Sequence, residues 1–215
     1  MVEKKKRCDY EIDIDDLAEA LVNKVKDDVK TFDDFLNLNS SLNREILIGE
    51  IVDGLGISVE SYIRYWNKLD NEKGLAPEER EPIKLYIDSL GGCLTDTFTI
   101  VDAIKMSKTP VIGICTGCAY SGGFFIFISC DQRIAYPHSS YLFHEGATST
   151  GGTSGQFQNY AAFYKKELNQ LKDIVLENTN ITEDEYRDIK KDDIWYDAKE
   201  AIEKGIADKI AEDFV

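Results

Sequence analysis

"VIGICTGCAYSGGFFIFIS", residues 111–129, passes from apolar β-formers through a patch of small residues into a second apolar run. Val111–Cys115 reads as a strand, Gly122 and Gly123 interrupt it, and the following aromatic block reads as a helix. Ser121 sits where strand gives way to helix. Its side chain is there either because the chain must turn tightly or because its hydroxyl attacks something.

Working outward, the same alternation recurs on both sides. Upstream, "EILIGEI" (45–51) has strand composition, and Val59, Tyr62, Ile63, Trp66 and Leu69 then mark one face of a helix. After the polar loop "DNEKGLAPEEREP" come a strand "IKLYI" (83–87), a turn "SLGG" and a helix carrying Phe98, Val101 and Ile104. Downstream, "RIAY" and "YLFH" read as short strands. A long helix is expected from about Gly155 to Asn178, with Phe157, Tyr160, Tyr164, Leu168, Leu171 and Val175 on one side. "TEDE" from Thr182 is a capping box, and "DAKEAIEKG" a short helix ended by Gly205. Strands separated by helices imply right-handed crossovers, hence an α/β fold with a mainly parallel sheet flanked by helices. Binding sites in such sheets collect beyond the carboxyl ends of strands, where both "SLGG" and "GCAYSGG" fall. Residues 1–42 stand apart as an amphipathic arm, with Leu17, Leu21, Val25 and Val29 spaced every four; residues 43–215 form one domain.

Composition removes several classes of function. A net charge of −15 opposes binding to a phosphate backbone, which draws its affinity from Lys and Arg, so nucleic acid is not expected as a partner. No apolar run reaches the roughly 20 residues a membrane span needs, and the basic "MVEKKKR" is followed by "CDYEIDIDD" rather than an apolar signal core, so a cytoplasmic location is expected. Five cysteines, an odd number, fit reduced thiols. Cys115 and Cys118 form a lone C-x-x-C; with two histidines and no second such pair, a zinc site lacks ligands, and small buried residues at a strand end are the favoured reading. No metal or cofactor is expected in this chain.

A serine hydroxyl becomes a useful nucleophile when a base takes its proton, commonly a histidine held by a carboxylate. Only His138 and His144 exist. His144 closes the strand-like "SSYLFH" and can project over the same sheet edge as Ser121, whereas His138 lies in the polar turn "YPHSS". Backbone N–H donors for an oxyanion would come from two glycine turns, Gly91–Gly92 and Gly122. Ala119 stands where a G-x-S-x-G elbow carries glycine, so the segment does not match that motif.

Taken in order, these motifs resemble the proteolytic-subunit family of the Clp protease, from about Asn43 to Ile210. "LYIDSLGG" resembles its "YINSPGG" turn, "GICTGCAYSGGFF" its "ICxGxAASMGAFL" segment, "SSYLFHEG" its "SRVMIHQP", and "GTSGQ" the start of its handle helix. "KKDDIWYDAKEAIEKGIADKI" resembles the family's closing segment. The resemblance implies the β-α-β superhelix that this family shares with the crotonases, and a serine endopeptidase in which Ser121, His144 and Asp193 are catalytic and the N–H groups of Gly92 and Gly122 hold the oxyanion. Asp193 is selected only by alignment to "DAKEA", with Asp192 the neighbouring alternative. The resemblance also implies one or two stacked heptameric rings of identical subunits, unfolded polypeptide substrates lying as an added strand, and an ATP-driven AAA+ unfoldase as partner. "GGTSGQ" lacks the Lys-Ser/Thr of a P-loop, so ATP use belongs to that partner.

The sequence departs from the family at Leu90 (proline there), Glu145 and Gly146 ("QP"), Gly122 (methionine), Asp192 (arginine) and throughout the N-terminal arm. Two other readings stand beside the peptidase: a catalytically silent ring subunit partnering an active paralogue, and a crotonase-like acyl-CoA enzyme that uses oxyanion donors without the serine.

Overall fold

The computed structural model describes residues 42–189 and 193–214. The arm expected over residues 1–42 lies, apart from Leu42, outside the described residues. From Arg44 the chain builds a seven-stranded sheet. Its elements are β1 (Glu45–Ile48), α1 (Leu55–Glu72), a 3₁₀ turn (Pro77–Glu79), β2 (Ile83–Ser89), α2 (Leu94–Met106), β3 (Val111–Tyr120) and α3 (Gly122–Ile128). They continue as β4 (Gln132–Ala135), β5 (Ser140–Phe143), α4 (Ser154–Asn178), α5 (Glu183–Ile189), β6 (Ile194–Asp197), α6 (Ala198–Glu203) and β7 (Lys209–Ile210).

The main path β1-β2-β3-β4-β7 is parallel throughout, as the strand–helix alternation predicts. The sheet forks at β3. Ile112–Cys115 pairs with β4, while Cys118–Tyr120 pairs with β5, also in parallel, and β6 then runs antiparallel along β5. Ten residues let one strand serve two partners in succession.

That length corrects the sequence reading, which ended the strand at Cys115 and took the following small residues as a turn. They are small because they are crowded. A Cβ on Gly117 would come within 2.4 Å of Asp88 Oδ1, and the Cys118 N–H donates to that same oxygen at 3.0 Å. The register of β2 against β3 shifts between Ile87 and Ser89, bringing Ala119 opposite Ser89.

Every residue of α3 is buried, the signature of a helix at the centre of a core. Phe124 packs on Phe143 and Phe127 on Tyr141, with ring centroids 5.7 Å and 5.3 Å apart, locking α3 to β5. α1 buries Val59, Ile63 and Trp66; Tyr62, expected on that face, is half exposed and stacks on Trp66. The amino end of α1 is capped from outside: Asp96 in α2 accepts the N–H groups of Gly54 (3.1 Å) and Gly56 (2.7 Å). At its other end, Arg44 forks onto Asp70 with both nitrogens (2.8 and 2.7 Å), and Thr109 Oγ1 donates to the same carboxylate. Of the stripe expected on α4, only Leu171 and Val175 are buried, joined by Ile174, whereas Phe157 is 55% exposed. The first half of that helix leaves the core. Among the described residues no helix is long and apolar enough to cross a membrane.

Candidate active site

Ser121 stands between the end of β3 and the first residue of α3 with φ 51°, a conformation L-residues adopt at a cost on the order of 1–3 kcal/mol. Packing on both sides holds it there. Its N–H donates to Leu142 O at 3.0 Å, and Phe124 and Phe125 N–H return to its carbonyl. Its hydroxyl caps no helix N–H, so the side chain is not spent on the turn.

The two glycine turns meet over this serine. A Cβ on Gly91 would lie 2.7 Å from Ser121 Cβ, and one on Gly122 would lie 3.6 Å from Gly92 N. Gly92 has φ 147° and is pressed so closely against β1's continuation that a Cβ would fall 2.2 Å from Ile51 O. Among the described residues neither the Gly92 nor the Gly122 N–H has a backbone acceptor, while the flanking Ile51 and Cys93 N–H groups do. Two adjacent unused donors beside a hydroxyl suit a developing oxyanion.

Register delivers the other two groups. β3 and β5 pair Tyr120 with Leu142, so one step further sets Ser121 beside Phe143 and carries His144 to the same edge. β5 and β6 pair Phe143 with Ile194 in antiparallel sense; the next step outward matches His144 with Asp193. His144 Nδ1 and Asp193 Oδ1 are 3.5 Å apart, the imidazole about one-third and the carboxylate about three-fifths exposed. A Nδ1–H tautomer facing Asp193 leaves the Nε2 lone pair to accept a proton. Nε2 is buried and has no hydrogen-bond partner among the described residues, so its bond to the Ser121 hydroxyl is not made here. Both side chains nevertheless line one cavity of about 510 Å³, together with Gly92 and Gly122. Asp192, the alternative carboxylate, lies outside the described residues, and His138 is exposed in its turn.

Residues 74–214 match the family described as Clp protease. The chain belongs to the Clp protease family. It is 32% identical over 176 residues to the ATP-dependent Clp protease proteolytic subunit 2 of Prochlorococcus marinus (strain MIT 9312), covering 79% of this chain and 81% of that one. Identity to subunit 2 of Treponema denticola is 29% over 200 residues, 92% and 94% of the two chains. Subunit 3 of Synechococcus sp. (strain CC9605) is 30% identical over 176 residues.

In this Clp-family chain the sequence reading named the walls of the cavity only in part. Thr97 of α2, Tyr160, Phe163, Tyr164 and Glu167 of α4, and Glu145 beside His144 all face it. Tyr160 and Tyr164 were expected on the apolar stripe of the long helix and Glu145 stood out as a departure beside His144, whereas Thr97, Phe163 and Glu167 were not singled out, because a stripe does not say what it covers. The C-x-x-C is structural in character. Burial pushes the Cys115 thiol up to about 12 and the Cys118 thiol, which also bonds Asp88, up to about 11. The four described cysteines are free. Asp53, Cys93 and Asp96 bring three potential ligand atoms within 4.8 Å of one another, but Asp96 Oδ1 is occupied by the two α1 N–H groups, which makes the group a helix cap.

Proposed function

We propose that this chain is an active serine endopeptidase subunit that hydrolyses peptide bonds of unfolded polypeptides. Ser121 Oγ attacks the carbonyl, His144 Nε2 takes its proton and returns it to the leaving amine, and Asp193 orients and stabilises the imidazolium. The Gly92 and Gly122 N–H groups receive the charge on the carbonyl oxygen. This chemistry needs no cofactor. The observation that supports the reading is the pairing register: one step beyond the β5–β6 ladder sets His144 opposite Asp193, and one step beyond the β3–β5 ladder sets Ser121 beside Phe143, the residue before His144.

The unmade hydrogen bond between hydroxyl and imidazole favours one competing reading, a silent ring subunit. Hydrogen bonds of this kind commonly tighten only when substrate arrives, so the active reading is preferred. Assembly into rings, with ATP consumed by a partner unfoldase in the cytoplasm, is carried over from the family and belongs to the same proposal; the relatives' names include both "ATP-dependent" and "proteolytic subunit".

A fluorophosphonate probe tests it. The wild-type chain is expected to be labelled on Ser121, and Ser121→Ala to lose both label and peptide cleavage, with kcat falling by a factor on the order of 10⁶. Labelling that survives the substitution, or a ring-forming preparation with neither label nor cleavage, overturns the active-peptidase reading.

A further inference from the structure

The cavity in front of Ser121 has an unusual chemical balance. Its far wall is α4, which presents Tyr160, Phe163, Tyr164 and Glu167, and its rim carries Glu145. Two carboxylates face it, and no Lys or Arg lines it among the described residues. The tyrosines are held in place: their rings lie 6.2 Å apart and within 11° of parallel, Tyr160 OH is bonded to Thr148 Oγ1, and Tyr164 OH donates to Glu145 O at 3.2 Å. The Tyr164 phenol sits above its ordinary pKa, chiefly from burial and then from negative charge on Tyr160, Glu145 and Glu167, so both carboxylates act on one partly desolvated spot. Lys165 and Lys166 are exposed and do not line the cavity. Among the described residues no ion pair engages Glu167.

We infer that this cavity receives the side chain of the residue whose carbonyl is attacked, and that it selects a cation there, arginine above all, with Glu167 as the specificity-determining residue. The inference rests on the proposed attack by Ser121, since Ser121 and the α4 side chains line the same cavity. Arginine fits on two counts. Its planar guanidinium stacks on an aromatic face while its edge donates to a carboxylate; lysine provides charge without the plane. An aliphatic side chain fills the volume but leaves Glu167 losing water without compensation.

The test has two arms on the full-length chain. In the first, kcat/KM is measured for fluorogenic peptides that differ only in the residue before the scissile bond: Arg, Lys, Leu or Glu. The Arg peptide is expected to exceed the Leu peptide by about tenfold, and Glu167→Gln to bring that ratio to within about threefold of one. In the second, dye-labelled peptides with Arg or Leu at that position bind the Ser121→Ala chain, read by fluorescence anisotropy, with the same tenfold preference lost on adding Glu167→Gln. Equal or tighter binding of the Leu peptide, or a ratio unmoved by Glu167→Gln, overturns the inference. An arginine preference in binding without Ser121-dependent cleavage would instead sink the peptidase reading and leave the pocket's selectivity standing. Cleavage with an apolar preference would do the reverse.

Discussion

At the scale of single residues, Gly92 joins backbone conformation to chemistry. Any Cβ there meets Ile51 O at 2.2 Å, so Gly92→Ala must move the turn and with it the proposed oxyanion donor. Peptidase kcat is expected to fall about 10²- to 10³-fold, the usual consequence of losing one such donor. Gly49→Ala provides the control, since among the described residues nothing lies within 4 Å of a Cβ there; its stability should change by less than about 0.5 kcal/mol. Steady-state kinetics and urea unfolding of both variants check this, and a Gly92→Ala enzyme of normal kcat would remove its N–H from the mechanism. Ser121, His144 and the glycines could be picked out as candidates from the sequence because each is marked locally, by a turn, a strand end or a small-residue patch. Asp193 was not legible from local pattern. Its selection among 40 acidic residues needs the pairing of β5 with β6, a contact between distant parts of the chain that only family resemblance anticipated.

Among elements, β1 and α1 are joined by the buried Arg44–Asp70 pair, whose side chains are 8% and 0% exposed. Removing Arg44 strands a buried carboxylate that retains Thr109 as a donor and the charge of Arg80 nearby but has lost the cation bonded to it. Arg44→Ala is therefore expected to cost about 3 kcal/mol, read as a lower urea midpoint at unchanged m-value. The Arg44 hydrogen bond holds the Asp70 pKa below its ordinary value. The pair's stabilisation is thus complete above about pH 4 and disappears as acid protonates Asp70, so wild type and variant should converge in stability at low pH. Equal urea midpoints at pH 7 would show that the pair contributes nothing net. Element identity was largely readable from periodicity; what failed were extents and faces. β3 ran on through residues that look like a turn because glycine and alanine serve close packing as well as bending. α4 shows an apolar stripe longer than the core it touches, because periodicity records that a face is apolar and not which neighbour covers it.

For the whole molecule, the interior sets a limit on alkaline stability. Cys118, Cys115 and Tyr196 are pushed up to about 11, 12 and 12, and Cys130, Tyr141 and Tyr186 are raised as well, in each case chiefly by burial. Each binds its proton more tightly folded than unfolded. Stabilisation is full below the ordinary thiol value near 9 and is lost as pH climbs through the folded values, at up to about 1.4 kcal/mol per pH unit for each group. Urea midpoints should hold level from pH 7 to about 8.5 and decline above 9; a midpoint unchanged at pH 11 would contradict the buried environments described. Topology has a further bearing on the order of events during synthesis. Serine and imidazole flank β3 and β5 and are made early, but the carboxylate arrives just before β6, after the whole of α4 and α5 has been made. A growing polypeptide therefore holds the proposed nucleophile and base well before the carboxylate proposed to align them, and a ribosome-bound fragment ending short of residue 193 lacks the proposed triad's third member.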